Sequence, residues 1–161
     1  MKNLDHILSK WIYDRAHASS FLTRLVTFGA TYVIAIMATI AAWINVNLLI
    51  PATYAWGITL LLQLLIGRKR PFECLLYEAK VKMFCRTPSF PSAHATISFA
   101  IAFAAWLLFL DVQWFLGFLI AAVWISLSRV AVGVHYVSDI IAGAFIGALI
   151  PICVWVFLMP L

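Results

Sequence analysis

One short polar segment of this chain carries an arginine, a histidine and a carboxylate between two long apolar runs. The segment SRVAVGVHYVSD spans residues 128–139 and contains Arg129, His135 and Asp139. Because His135 and Asp139 are four residues apart, a helix that begins near His135 places both on one face. There the carboxylate would hold one ring nitrogen and leave the other free, which makes His135 a candidate nucleophile.

Two further polar segments, GRKRPFE at 67–73 and SFPSAHA at 89–95, supply complementary groups. Arg70 offers a forked, permanently charged donor that suits phosphate oxygens. Ser92 stands at the start of an apolar run, where its hydroxyl and the first backbone N–H groups of a helix would bind an anion. His94 follows closely and is a candidate proton donor to a leaving oxygen. The three segments together predict an anion pocket with a nucleophile and an acid.

The elements that must position these residues are membrane-spanning helices. Of the 161 residues, 65% are hydrophobic and 11% are charged, with a net charge of +5; soluble domains carry about 25% charged residues. The mean hydropathy is +1.04. The apolar runs are each close to the roughly 20 residues that cross a bilayer, and they predict five spans: 25–46, 48–66, 94–110, 114–132 and 137–158. We therefore predict an all-α membrane protein, a bundle whose single membrane-embedded domain covers residues 1–161.

Two polar regions flank these spans. Residues 1–20 predict an interfacial helix, because their apolar side chains fall on one helical face and their charges elsewhere. Residues 67–93 form the one long polar loop. Threading five spans puts the N-terminal helix, this loop and the junction at 129–135 on one side of the membrane, so the chemical groups share a face. All eleven Lys and Arg residues fall on that side, which the positive-inside tendency alone would make cytoplasmic.

Other interpretations compete with a catalytic pocket. A single His or Arg at a helix end is commonly an interfacial anchor. A charge deep in the bilayer, however, costs about 2.5–3.5 kcal/mol. Several charged side chains that converge on one place therefore indicate that they bind a ligand or pair with one another. Two histidines and an aspartate are also a candidate zinc site. The two arginines would oppose a divalent cation, and no HExxH pair is present, so we predict chemistry without metal or cofactor.

Two classes of non-enzymatic protein also fit part of the pattern. A lipid-phosphate binding or transport protein would use the same anion pocket without cleaving its ligand. In a channel or structural bundle the polar clusters would hold helices together. The candidate nucleophile and acid favour an enzyme over both. We expect a phosphorylated lipid and the bilayer as partners and no nucleic acid, and we leave the oligomeric state open.

The three segments resemble the signature of the type 2 phosphatidic acid phosphatase superfamily, a family of integral membrane lipid phosphatases. That signature reads K-x6-R-P, then P-S-G-H, then S-R-x5-H-x3-D. The chain shows Arg70–Pro71, then Pro91–Ser92–Ala93–His94, then Ser128–Arg129 followed by His135 and Asp139. The third motif matches completely and is the most specific of the three. The vanadium haloperoxidases share the phosphate-site motif but are soluble, and the apolar composition here excludes them.

The resemblance implies a role for each matching residue. His135 would attack phosphorus to form a phosphohistidine, and Asp139 would orient it. His94 would protonate the departing oxygen and later activate water. Arg70, Arg129 and Ser92 would hold the phosphoryl oxygens.

Two positions depart from the family pattern. Gln63 stands where K-x6-R-P has lysine, so one cation is missing. Gln63 still offers a hydrogen-bond donor at the phosphate site, and Lys69 or Arg68 is a candidate to replace the charge. Ala93 replaces the glycine of P-S-G-H, and its small side chain still allows a close approach of the backbone to phosphate, although it disfavours a left-handed conformation.

The short chain and its FPSAHA segment look like the small bacterial members of the family that hydrolyse undecaprenyl diphosphate to undecaprenyl phosphate. Phosphatidylglycerophosphate, phosphatidic acid and the lipid A phosphate are the alternative substrates, because the motifs contact phosphate and not the lipid tail. Lys80, Lys82 and Arg86 would suit a diphosphate, or form a solvated, lipid-facing patch.

The resemblance also implies a location. We expect a multi-pass protein of the bacterial inner (plasma) membrane with its active face outside the cytoplasm, against the charge asymmetry. Cys74 and Cys85 share the polar loop, so a disulfide there is possible if the loop faces an oxidising compartment. Sequence spacing leaves that pairing open.

Overall fold

The computed structural model describes residues 2–74, 77–81 and 87–158. These ranges contain seven α-helices and no β-strand: α1 (Lys2–Ala16), α2 (Ser20–Thr31), α3 (Val33–Ile44), α4 (Leu49–Ile66), α5 (Ala93–Phe109), α6 (Val112–Ala131) and α7 (Val137–Leu158). The predicted all-α class is confirmed.

The five predicted spans correspond to α2–α3, α4, α5, α6 and α7. By length and composition α4, α6 and α7 can cross a membrane, and α2 with α3 makes up to a fourth span. The apolar α5 has 17 residues, the lower end of the length that spans a bilayer. The first span differs from the prediction, because it starts at Ser20 and bends by 45° between its two helices. It starts early because the Ser19 hydroxyl caps it, accepting the Leu22 N–H at 3.2 Å.

Small residues let α7 approach the start of α5 closely. A Cβ atom at Gly143 would lie 2.8 Å from the Ser92 carbonyl oxygen, so only glycine fits this crossing. The Ser92 N–H donates to the Asp139 carbonyl oxygen at 3.1 Å. Helix packing thereby joins two of the predicted motifs.

Between α6 and α7 the chain reverses in a short buried turn, residues 132–136. Gly133 adopts φ = 82°, a left-handed conformation that glycine enters without steric cost. Val134 and His135 in this turn are buried. The turn therefore presents His135 inside the bundle rather than to solvent.

The N-terminal helix α1 packs on α6 and α7 with two contrasting faces. Ser9, Tyr13 and Ala16 are buried, whereas Ile7 and Trp11 are exposed by 63% and 58%. A helix that lies in a lipid interface presents such an apolar outer face. The helix ends four residues before the predicted boundary at residue 20.

Candidate active site

All three motifs meet at one end of the bundle. Arg70 follows the end of α4, Ser92 is the N-cap residue of α5, and Arg129 lies in the last turn of α6. His135 lies in the turn after α6, and Asp139 in the first turn of α7. All five side chains are buried. The structure therefore brings together residues that are up to 69 positions apart in sequence.

His135 lies between a guanidinium and a carboxylate. Arg70 Nη1 is 3.2 Å from His135 Nε2, and His135 Nδ1 is 3.4 Å from Asp139 Oδ2. Because a guanidinium can only donate, Nε2 carries the lone pair and Nδ1 carries the proton. This tautomer leaves Nε2 as the nucleophilic atom.

Burial lowers the pKa of His135 to about 4, against a smaller raising effect of Asp139. Removing the imidazole from water penalises its charged form. His135 is therefore neutral at pH 7, as a nucleophile requires.

The Asp139 carboxylate accepts several hydrogen bonds from the protein. Oδ2 accepts from the Ser89 hydroxyl and, at 2.8 Å, from the Tyr136 N–H. Oδ1 accepts from Arg68 Nη1 at 2.7 Å. Three donors on three different segments therefore fix the carboxylate beside His135.

Arg70 is held in place by backbone carbonyls. Its Nε donates to the Thr87 carbonyl at 2.9 Å, and Nη1 to the Val134 carbonyl at 2.8 Å. Burial lowers the pKa of Arg70 to about 10, while Asp139 and Glu73 raise it. Arg70 therefore stays charged at neutral pH, aimed at His135.

Two further buried residues of the motifs, Arg129 and Ser92, have polar atoms without a partner in the part of the chain that the structure describes. Among the described residues, nothing hydrogen-bonds Arg129 Nε or Ser92 Oγ. Arg129 Nη1 alone donates, to the Ala30 carbonyl at 3.0 Å. The α5 helix makes no side-chain N-cap hydrogen bond with Ser92. Other buried atoms, among them His135 Nδ1 and Ser128 Oγ, also lack a partner within the described ranges. Since buried polar groups are nearly always bonded in a folded protein, Arg129 Nε and Ser92 Oγ are candidate donors to an anion.

The remaining predicted residues lie near the site with differing contacts. His94, in the first turn of α5, is half-buried and interacts electrostatically with Arg129, His135 and Arg70. Gln63 is buried, and its Nε2 donates to the Pro91 carbonyl at 2.9 Å. Gln63 thus contacts the segment before Ser92, and its role at phosphate stays a prediction.

Lys69 and Ala93 also stay predictions as phosphate-site residues. Lys69 is exposed, and no hydrogen bond of its side chain occurs within the ranges described. Ala93 is half-buried beside Ser92. Lys80 is paired with Glu78 at 3.2 Å. Lys82 and Arg86, the other two cations named for a diphosphate or a solvated patch, lie outside the described residues, as does Cys85, whose pairing with Cys74 the sequence leaves open.

Sequence reasoning missed the groups that support the catalytic pair. Arg68, named with Lys69 as a candidate to replace the missing cation, bonds Asp139, and its role at phosphate stays a prediction. Ser89 donates to the same carboxylate. Its position in the SFPSAHA segment was a sequence signal that could have identified it. Asp5, which binds Arg68 at 2.7 Å, had none, because 63 residues separate the two in sequence.

A family model described as the PAP2 superfamily matches residues 24–160 of this chain. The match covers α2 from Arg24 onward, the five helices after it and all three motifs.

Two individual proteins add to this result. A lipid A 1-phosphatase of Rhizobium etli is 36% identical over 114 residues, which are 66% of this chain and 47% of that protein. The chain thus spans less than half the length of that relative. The bacitracin transport permease protein BcrC of Bacillus licheniformis is 29% identical over 151 residues, 87% of this chain and 73% of that protein.

Two crystal structures share the fold. A transmembrane PAP2 type phosphatidylglycerolphosphate phosphatase of Bacillus subtilis has a TM-score of 0.69 and 21% identity, covering 97% of this chain and 85% of its own. LpxE of Aquifex aeolicus has a TM-score of 0.63 and 22% identity, covering 93% of each chain.

Proposed function

This chain belongs to the PAP2 superfamily, and on that premise we propose that it is a membrane lipid phosphatase that works through a phosphohistidine. One observation carries the proposal. His135 Nε2, whose lone pair faces inward, lies 3.2 Å from Arg70 Nη1, while two buried donors nearby, on Ser92 and Arg129, have unpartnered atoms. A binding protein would need the donors but not the oriented nucleophile.

In the first step the Nε2 lone pair of His135 attacks phosphorus and the bond from phosphorus to the lipid-side oxygen breaks. His94, which the negative charge of the bound phosphate would favour in its protonated form, gives its proton to that oxygen. Arg70 Nη1 lies against His135 Nε2, and a phosphoryl oxygen that takes over this donor would release the lone pair. Arg70, Arg129 and Ser92 then stabilise the negative charge on the three equatorial oxygens.

In the second step water attacks the phosphohistidine. His94, now neutral, takes the proton from water, the phosphorus–nitrogen bond breaks, and inorganic phosphate leaves. His135 recovers its lone pair, and the Asp139 carboxylate keeps Nδ1 protonated throughout. Each cycle thus restores the starting protonation states.

The substrate we propose is undecaprenyl diphosphate, on the resemblance to small bacterial members of the family. The competing candidate is the 1-phosphate of lipid A, which the name and 36% identity of the Rhizobium etli relative support. Phosphatidylglycerophosphate and phosphatidic acid complete the panel. All four present a terminal phosphoryl group at the membrane surface, where the helix ends hold the site.

The first experiment measures phosphate release from these four lipids by the full chain in detergent, with EDTA present. We expect release by the wild type that is lost in His135→Ala and retained in His17→Gln, a matched histidine in the turn after α1. Because the pKa of His135 is about 4, release should persist below pH 6.5, where an ordinary histidine would protonate. Phosphate release that survives His135→Ala would rule out the mechanism. The kcat/KM values for the four lipids, compared with one another, identify the preferred substrate.

We place the protein in the bacterial inner membrane with the site on its outer face. Cys74 is exposed in the loop on that face and allows a test. In intact cells treated with a reductant, a membrane-impermeant maleimide should label it. Labelling only after the membrane is opened would put the site on the cytoplasmic side, as the charge asymmetry suggests.

A further inference from the structure

An ionic network joins the N-terminal helix to the Asp139 carboxylate. Arg68 is at its centre: Nη1 donates to Asp139 Oδ1 and Nη2 donates to Asp5 Oδ2, each at 2.7 Å. The Arg68 and Asp5 side chains are 26% and 15% exposed, so solvent screens this pair less than a surface pair. A single guanidinium thus bridges α1 and the first turn of α7.

Ser138 completes the link between the two helices. Its N–H donates to Asp5 Oδ1 at 3.0 Å and its hydroxyl to Asp5 Oδ2 at 2.6 Å. The Val137 N–H donates to the Ser9 hydroxyl at 3.0 Å. Side chains of α1 therefore satisfy the first N–H groups of α7, which have no partner within their own helix.

Aromatic stacking fixes the guanidinium. Arg68 Cζ lies 4.1 Å from the ring centroid of Tyr136, and His6 of α1 stacks on Tyr136 at 5.0 Å. Burial would raise the pKa of Asp5, but hydrogen bonds from Ser138 and Arg68 outweigh it and hold the pKa below its usual value. Asp5 is therefore ionised at neutral pH and pairs with Arg68 permanently.

We infer that Arg68 and Asp5 are positioning residues: Arg68 fixes the carboxylate that orients His135, and Asp5 fixes Arg68. The N-terminal helix is then part of the catalytic apparatus. Neither residue touches the unpartnered donors of the anion site, so both act through Asp139. This inference rests on the proposed phosphatase function.

The network also sets the charge that His135 experiences. Asp5, Arg68 and Asp139 together carry one net negative charge. Removing Arg68 makes the net charge of the network two negative charges, which favours the protonated form of His135. Removing Asp5 makes the net charge zero, which disfavours that form. The charged and titratable groups around His135 and Asp139 are His94 of α5, Arg129 of α6, Asp5 and His6 of α1, and Arg68, Arg70, Glu73, Tyr77 and Tyr136 of the loops.

The test compares Arg68→Gln and Asp5→Asn in the full chain, using the lipid of the panel that the wild type cleaves fastest. We expect kcat to fall about 10- to 100-fold in Arg68→Gln and about 3- to 10-fold in Asp5→Asn, the effect of a slightly misplaced catalytic group. KM should stay within about twofold, because neither side chain binds substrate. The acid limb of the kcat/KM profile should move to higher pH in Arg68→Gln and not in Asp5→Asn.

A matched control lies on the same helix. Lys10 and Asp14 form an exposed ion pair at 2.6 Å, and exposed pairs contribute little. The Lys10→Gln and Asp14→Asn variants should keep kcat and the pH profile of the wild type. Arg68→Lys should lose most of kcat, because an ammonium lacks the fork that bridges two carboxylates.

A second readout does not depend on turnover. NMR titration of isotope-labelled histidines, with His135 assigned through His135→Gln, should show the two variants shifting its pKa in different directions. Unchanged kcat and an unchanged titration in both variants would overturn the inference, as would shifts in the same direction. If Arg68→Gln does not fold, the kcat values and the His135 titrations of Asp5→Asn and Arg68→Lys test the inference in its place. If the wild type releases no phosphate, the proposed function fails and the titration alone decides the inference.

Discussion

The two sides of the candidate active site differ in how completely the protein satisfies them. On the carboxylate side, which comprises His135, Asp139 and their partners Arg68 and Ser89, both Asp139 oxygens are bonded. His135 Nδ1 lies 3.4 Å from Asp139 Oδ2 and makes no hydrogen bond among the described residues. On the anion side, which comprises Arg129 and Ser92, buried polar atoms lack partners within the described ranges. The protein itself thus bonds the Asp139 carboxylate, whereas the Arg129 and Ser92 atoms are available to an anion.

This difference separates stability from function. A fully bonded buried network rigidifies the fold, whereas unpaired buried donors destabilise it. Changes on the carboxylate side should therefore reduce both activity and stability. Changes on the anion side should reduce activity alone, because they remove groups that the ligand-free fold does not need.

The largest effect is expected for Asp139→Asn. An amide nitrogen cannot accept, so it would face one of the donors that now bind the carboxylate, and His135 would lose the group that selects its tautomer. We expect kcat to fall about 10³- to 10⁴-fold, the scale seen when a triad aspartate becomes asparagine. The free energy of unfolding should fall by about 3–5 kcal/mol, because a buried pair is broken. Phosphate release and thermal unfolding in detergent measure the two effects, and an inactive variant of wild-type stability would break the comparison.

A smaller loss of activity, without loss of stability, is expected for Arg129→Met. The side chain is buried with one hydrogen bond, to the Ala30 carbonyl. Removing a donor to the transition state should lower kcat/KM about 10²- to 10³-fold. The unfolding temperature should stay equal or rise, since an unpaired buried charge disappears.

The control for this variant is Arg24→Met on α2, where the arginine is exposed and activity should not change. A marked drop in the unfolding temperature of Arg129→Met would show that its guanidinium is structural. The anion side would then contribute to the stability of the fold, as the carboxylate side does.

The sequence indicated the residues of the motifs more directly than the groups that hold them in place. Arg129, Ser92 and His135 stand in short motifs at helix ends, where residue type and spacing suffice to suggest phosphate chemistry. The apolar runs likewise predicted the spans, because span length follows from bilayer thickness. The bend between α2 and α3 had no such signal, since neither proline nor an interruption of the apolar run occurs at Tyr32.

The support of Asp139 depends on contacts that no local pattern encodes. In GRKRP three cations follow one another, and α4 ends at Ile66 before them, so no helical period tells which of them turns inward. The structure directs Arg68 to Asp139, Arg70 to His135 and Lys69 to the surface. Asp5 contacts Ser138 across 133 residues of sequence, which only packing of the whole bundle determines.

The smallest effect is expected for Ser92→Ala, which sharpens the comparison because Ser89 provides a matched serine. The Ser92 hydroxyl has no partner among the described residues, whereas the Ser89 hydroxyl donates to Asp139. Ser92→Ala should lower kcat/KM about 3- to 10-fold, the scale of one neutral hydrogen bond, and leave the unfolding temperature unchanged. Ser89→Ala should lower the unfolding temperature, because it removes one donor from a buried carboxylate.

Orthovanadate, an analogue of the phosphoryl group, separates the two serines further. A ligand that binds the folded state at 100 times its dissociation constant stabilises it by about 2.7 kcal/mol. We expect vanadate to raise the unfolding temperature of the wild type and of Ser89→Ala, and to raise that of Ser92→Ala less. An equal vanadate shift in all three would mean that the Ser92 hydroxyl does not contact the anion, and Arg129 would remain as the group that defines the anion side.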